Sequence, residues 1–150
     1  MHVKEFQVKG FSFAAAFLSC LLLSANAESE ESRVVINLDG VSEAGGNLRG
    51  SLYRDPDTFR KEDRAVQVVS VPATKGSSRI VFEAVPPGRY AVMVYHDENG
   101  DGKLNLRFGM FPLEGYGLSN NPKVMGPPKF AASAFEVGEP ETSVNIRLNY

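Results

Sequence analysis

The sequence of 150 residues has one cysteine, Cys20, and no tryptophan. Because Cys20 lies in an apolar N-terminal run, no thiol remains further along the chain for a disulfide or a zinc site. A single histidine, His96, follows residue 27, so a catalytic triad or a zinc cluster would lack partners. Phosphate-loop and G-x-S-x-G patterns are missing too. These absences argue against the common hydrolase and zinc-enzyme classes.

The sequence also has no excess of positive charge. Its 16 basic and 18 acidic residues give a formal net charge of -2, and they form no basic stripe. Nucleic-acid binding requires clustered Lys and Arg to neutralise phosphates. We therefore expect no nucleic-acid partner.

Residues 1–27 have the pattern of a signal peptide. Lys4 and Lys9 precede a short apolar run, and Ala25 and Ala27 form an A-x-A cleavage pattern. The apolar run is too short for a confident membrane span. We predict an exported protein, periplasmic or secreted, that is not an integral membrane protein. Lipid anchoring at Cys20 is the less favoured alternative, because the apolar residues continue beyond it.

Period-two alternation of apolar and polar residues dominates the rest of the chain, with Gly and Pro between the runs. We predict a flexible segment at 28–32 and one domain at 33–150. Seven short strands in about 120 residues predict an all-β fold, a single antiparallel β-sandwich of the immunoglobulin or transthyretin type. Each sheet should have one solvent-exposed face. The predicted strands are 33–38, 46–54, 64–72, 78–85, 89–96, 133–137 and 142–150.

Two segments stand out from this pattern. Residues 89–96 are apolar on both faces, which predicts a central strand. Residues 97–132 show no clear strand but contain many large apolar residues. Because loops of this length are uncommon in compact domains, we predict an ordered functional loop that packs over one end of the sandwich.

Several motifs resemble a known family. They are VPPGRYAVMVYHDENGDGKLN, GMFPLEGYGLSNNP, GPPKF and the terminal IRLNY, in this order. Together they resemble the bacterial domain of unknown function 2141 family, and the resemblance covers roughly residues 33–150. It implies a small exported β-sandwich, similar in style to transthyretin-like and collagen-binding B-type modules. It implies no particular activity.

The stretch HDENGDGKLN at 96–105 follows the predicted central strand. Its D-x-N-x-D-G spacing matches the first half of a calcium loop, in which alternate side chains converge on one ion. Calcium is therefore the one cofactor that the sequence suggests. The candidate metal ligands are Asp97, Asn99, Asp101, the backbone carbonyl of Lys103, and Asn105.

The motif departs from a complete calcium loop at its twelfth position, where Phe108 replaces the bidentate glutamate. Glu98 or Glu114 could supply the missing oxygen. With only two carboxylates we expect weak affinity, on the order of 10⁻⁴ to 10⁻³ M. The alternative is an ion-free turn, since Asn99-Gly100 is a favoured hairpin turn.

Other polar groups have structural and functional interpretations. We expect His96 to end a strand and bind a loop carbonyl, with Asp97 beside it holding a proton on the ring. GYGLSNN at 115–121 carries aromatic and amide groups that suit peptide or carbohydrate contact; the alternative is a Gly-rich loop that packs Tyr116 on the core. The candidate ligand-binding residues are Tyr116, Ser119, Asn120 and Asn121.

These observations favour a non-enzymatic exported module with a binding or structural role. Its partner would be a cell-envelope protein or a glycan. The alternative is a glycan-active hydrolase that uses paired acids near the 97–132 loop, such as Asp97 and Asp101.

Overall fold

The computed structural model describes residues 31–150. The predicted signal peptide, Cys20 and residues 28–30 lie outside the described residues. Within them, no helix is long and apolar enough to cross a bilayer. The strands are β1 (Ser32–Val41), β2 (Asn47–Tyr53), β3 (Gln67–Pro72), β4 (Gly76–Val85), β5 (Gly88–Asp97), β6 (Leu106–Arg107), β7 (Phe111–Pro112), β8 (Tyr116–Leu118), β9 (Phe135–Val137) and β10 (Glu141–Arg147); a 3-10 helix (Glu62–Arg64) precedes β3, and α1 (Phe130–Ser133) precedes β9.

The strands form two packed sheets and one separate hairpin. The first sheet has the order β10-β1-β4, and the second has the order β3-β2-β5-β8, with β9 also paired to β5. Among residues 31–150, β6 and β7 pair only with each other. The prediction of an all-β sandwich is confirmed.

One strand pair differs from the predicted antiparallel arrangement. β1 and β10 are parallel, with Ile36 opposite Val144. The chain crosses from the second sheet to the first between β9 and β10, so β10 joins β1 without a hairpin turn that would make the pair antiparallel. The alternating pattern of a strand carries no information about its direction, so the sequence could not reveal this.

The main core lies between the two sheets, where the inward-facing residues of each strand meet. Alternation predicts these positions well, because side chains on a strand point to opposite faces in turn. The fully buried members include Val34, Ile36, Leu38, Leu48, Leu52, Ile80, Phe82, Val92 and Val94.

A second, smaller core covers part of the outer face of the second sheet. The ring of Phe59 lies edge-on to Tyr53 at 5.4 Å and to Phe130 at 5.8 Å between centroids. Ala91 and Leu118 are buried with them. The prediction of one solvent-exposed face per sheet is therefore wrong for the second sheet, whereas the apolar pattern on both faces of 89–96 is explained.

The 97–132 segment is ordered, but it divides into two parts. Its second part runs back along the sheet as β8, and Phe130 then packs on the outer face. Gly117 lets β8 lie close to the end of β10, since a Cβ at this position would lie 2.7 Å from the carbonyl oxygen of Arg147. The first part, up to Gly115, contains the β6–β7 hairpin, whose large apolar side chains are exposed, so the prediction that the segment packs over one end of the sandwich is wrong for this hairpin.

Candidate functional site

The acidic loop, residues 97–105, begins where β5 ends. Asp97 is 4% exposed, and its carboxylate accepts the N–H of Asp101 at 3.1 Å and that of Gly102 at 2.9 Å. Gly100 and Gly102 both have positive φ, which glycine adopts without steric cost. One buried carboxylate therefore sets the path by which the chain leaves the sheet.

The solvent side of the acidic loop carries a network of three side chains. The Asn99 amide N–H donates to the carboxylate of Asp101 at 3.3 Å and to the side-chain oxygen of Asn105 at 3.1 Å. The Asn105 amide donates to Asp101 at 3.0 Å. This hydrogen bond, with further ones from the Lys103 and Asn99 N–H groups, lowers the pKa of Asp101.

A second buried carboxylate closes the acidic loop from the other side. Glu114 is buried, and its carboxylate accepts the backbone N–H of Glu98 at 3.2 Å and that of Asn105 at 2.9 Å. These hydrogen bonds join both ends of the acidic loop to one side chain. Bonds of this kind to a charged acceptor contribute about 1.5–3 kcal/mol each.

His96 holds the adjacent elements together from inside. It is fully buried, its Nε2 lies 2.7 Å from the Gly45 carbonyl oxygen, and its Nδ1 lies 2.8 Å from the Tyr150 hydroxyl. Because a carbonyl only accepts, Nε2 carries a proton, and in the neutral ring Nδ1 accepts from Tyr150. The loop-carbonyl partner predicted for His96 is confirmed.

Asp97 is not the acid beside that ring. Adjacent residues on a strand point to opposite faces, so the Asp97 and His96 side chains diverge. The carboxylate near Nδ1 is that of Glu98, at 3.7 Å.

Sequence reasoning missed three residues that shape this end of the sandwich. Tyr150 completes the histidine contact and also accepts the Ser42 N–H at 3.1 Å. A Cβ on Gly115 would overlap the Tyr150 ring, and a Cβ on Gly46 would overlap the Asp97 carbonyl. The signals in the sequence were the glycine pair at 45–46, the first glycine of the GYGLSNN motif and the aromatic residue at position 150.

The predicted metal ligands lie together in part. The side chains of Asn99, Asp101 and Asn105 converge, whereas the buried carboxylate of Asp97 binds the backbone N–H groups of Asp101 and Gly102. Within residues 31–150, no three His, Cys, Asp or Glu side chains form a group that could hold a metal. The converging side chains can offer oxygen ligands, which suit a hard cation such as calcium, but only one of them, Asp101, is a carboxylate.

The predicted ligand-binding residues separate into two kinds of position. Ser119 is fully buried and bonds the backbone of Val92, while Asn120 donates to the Ala134 carbonyl at 2.8 Å. Asn121 accepts the N–H of Arg147 and donates to the carbonyl of Asn145, extending the β10 ladder. Only Tyr116 and Asn121 line a common surface cavity, of about 330 Å³.

A different surface is exposed at 105–113, which we name the apolar hairpin. Its base is closed by the Leu113 N–H, which donates to the Asn105 carbonyl at 2.9 Å. Phe108 is 83% exposed, so the expectation that the apolar residues of 97–132 all pack is wrong here. Its two-residue strands β6 and β7 form a separate two-stranded sheet. The exposed large apolar side chains of this hairpin are Leu106, Phe108, Met110, Phe111 and Leu113.

The chain matches a protein-family model over most of its length. A family model described as an uncharacterized protein conserved in bacteria (DUF2141) matches residues 36–145. Comparisons with curated proteins and with solved structures find no match. The matched range includes the acidic loop, the apolar hairpin and Glu114.

We predict that Glu114→Gln loosens the acidic loop. Glutamine has one acceptor oxygen for two N–H groups, and its amide N–H₂ faces a donor, so unfolding free energy should fall by about 1–3 kcal/mol. The matched control is Glu136→Gln at an exposed position, with a change within about 0.5 kcal/mol. Urea denaturation measures both, and equal midpoints for the two variants would contradict the role given to Glu114.

Proposed function

This chain belongs to the DUF2141 family of uncharacterized bacterial proteins, and we propose that it is an exported, non-enzymatic module that binds its partner through the apolar hairpin. The observation that carries this proposal is the exposure of five large apolar side chains within residues 106–113. Export rests on the signal-peptide pattern of residues 1–27.

Exposing large apolar side chains to water is unfavourable in free energy. Soluble proteins rarely keep large contiguous apolar patches, and such patches are typical of protein or membrane interaction sites. The apolar hairpin is also well anchored, because Glu114 and the Asn105–Leu113 hydrogen bond fix its base. An apolar hairpin whose base is fixed in this way is suited to bind a partner.

The polar groups near the acidic loop support a structural rather than a catalytic use. His96 is fully buried with both ring nitrogens engaged, and Asp97 and Glu114 each hold two backbone N–H groups. An acid that must accept or release a proton during glycan hydrolysis needs access to substrate. The alternative of a glycan hydrolase therefore gains no support from these residues.

Calcium enters the proposal as a weak stabiliser of the acidic loop. Its support is the convergence of Asn99, Asp101 and Asn105, whose polar atoms lie within 3.3 Å of one another. An ion there would replace amide–carboxylate hydrogen bonds with oxygen coordination, and Asn99 and Asn105 would turn their carbonyl oxygens inward. The acidic loop leads directly into the apolar hairpin, so calcium would stiffen its base.

The binding role can be tested by photo-crosslinking. A photoreactive phenylalanine analogue at Phe108 should form adducts with lipids or proteins of a bacterial cell envelope. The same analogue at Val66 is the control, because Val66 is exposed and remote from the hairpin. Its N–H donates to the carbonyl of Leu52, whereas Asp97 lies opposite Asn47 at the other end of β2. Adducts at position 108 that are no more abundant than those at position 66 would contradict the proposal.

The calcium role has a separate test. Isothermal titration should give a dissociation constant on the order of 10⁻⁴ to 10⁻³ M. At 10 mM calcium the unfolding free energy should then rise by roughly 1.4–2.7 kcal/mol.

Asp101→Asn should remove most of both effects, whereas Asp63→Asn, at another exposed carboxylate, should retain them. If the calcium titration shows no heat of binding and chelator leaves the melting temperature unchanged, the calcium site is ruled out.

A further inference from the structure

We propose that the apolar hairpin docks on anionic lipid bilayers, with its tip inserted among the headgroups. This inference rests on the proposed function and names the partner: a membrane surface rich in acidic phospholipid. It concerns reversible surface contact by the tip residues 107–111, held by the folded sandwich.

The conformation of the tip is the first observation. The Met110 N–H donates to the Arg107 carbonyl at 3.2 Å, and Phe108 and Gly109 between them have φ of 56° and 69°. Two positive φ values are the signature of a type I′ turn, whose first central position favours Asn, Asp or Gly.

Phe108 breaks that preference. A bulky residue at positive φ is strained, and its ring gains no burial in return, because it is 83% exposed. Strain of this kind concentrates at functional sites, where another requirement selects the residue. A highly exposed aromatic ring at the turn of a hairpin is suited to the bilayer interface, where aromatic residues are enriched.

The charges around the tip are the second observation. Residues 103–113 contain Lys103 and Arg107, both exposed, and no carboxylate. Four carboxylates, those of Asp97, Glu98, Asp101 and Glu114, flank this stretch at the base of the hairpin, and the N–H groups that they bind do not neutralise them; the cationic part is therefore confined to the hairpin itself. Cations beside exposed apolar side chains complement a layer of lipid phosphates.

The shape of the hairpin distinguishes a bilayer from a folded protein partner. The exposed apolar side chains lie on a two-stranded projection that pairs with no other strand. A protein partner would need a groove shaped for this projection, whereas a bilayer deforms around it. An exposed, apolar and cationic tip therefore favours lipid.

The chain allows a direct experiment because it contains no tryptophan. Phe108→Trp places a single fluorophore at the tip. With vesicles of phosphatidylglycerol and phosphatidylethanolamine, its emission should shift to shorter wavelength and be quenched by brominated acyl chains. Phosphatidylcholine vesicles should give a much smaller effect. Val66→Trp, remote from the hairpin, should show neither change.

Sedimentation with the same vesicles tests the two contributions separately. Phe108→Ser combined with Met110→Ser should lower binding at least tenfold, since both side chains are exposed and their loss leaves the core intact. Arg107→Gln should lower binding about fivefold, the effect of one cation near an anionic surface. Arg79→Gln, which removes an equal charge from β4, should have little effect.

No emission shift at position 108, or an equal shift at position 66, would overturn the lipid proposal. Failure here combined with protein adducts at position 108 in the crosslinking experiment would leave the binding role intact and replace lipid with a protein partner. Failure of both experiments would remove the binding role itself.

Discussion

Where the chain leaves a sheet, its backbone N–H groups have no partner strand and need other hydrogen-bond acceptors. This constraint determines how the chain continues beyond β5. Asp97 and Glu114 meet it, each with two backbone N–H groups on one buried carboxylate. Because these hydrogen bonds order the chain, the apolar hairpin needs no packing of its own side chains to hold its shape. Exposed groups such as Phe108 are thereby free to serve a partner.

The sequence predicted the layers of the fold better than their connections. Period-two alternation identified the two inner faces, and the apolar pattern at 89–96 identified the central strand. β6, β7 and β8, of two or three residues, fall within 97–132, where no alternation was seen, whereas the equally short β9 falls within the predicted strand 133–137. The parallel pairing of β1 with β10 depends on a crossover between sheets, which no local pattern encodes.

The candidate site shows the same division between local and long-range information. The spacing of Asn99, Asp101 and Asn105 was sufficient to predict that their side chains converge. Glu114 reaches the acidic loop because the intervening hairpin reverses the chain direction. Residue spacing alone could therefore not predict its hydrogen bond to Asn105. Composition suggested that the large apolar residues all pack, and only the geometry of the hairpin shows that Phe108 and its neighbours do not.

Amide hydrogen exchange of the wild-type protein in chelator tests the central claim most directly. If Asp97 and Glu114 order the base of the apolar hairpin, the N–H groups of Gly102 and Asn105 will exchange slowly, at rates near those of the β5 ladder. Exchange of both groups at the rate of an unstructured chain, while β5 stays protected, would contradict the account.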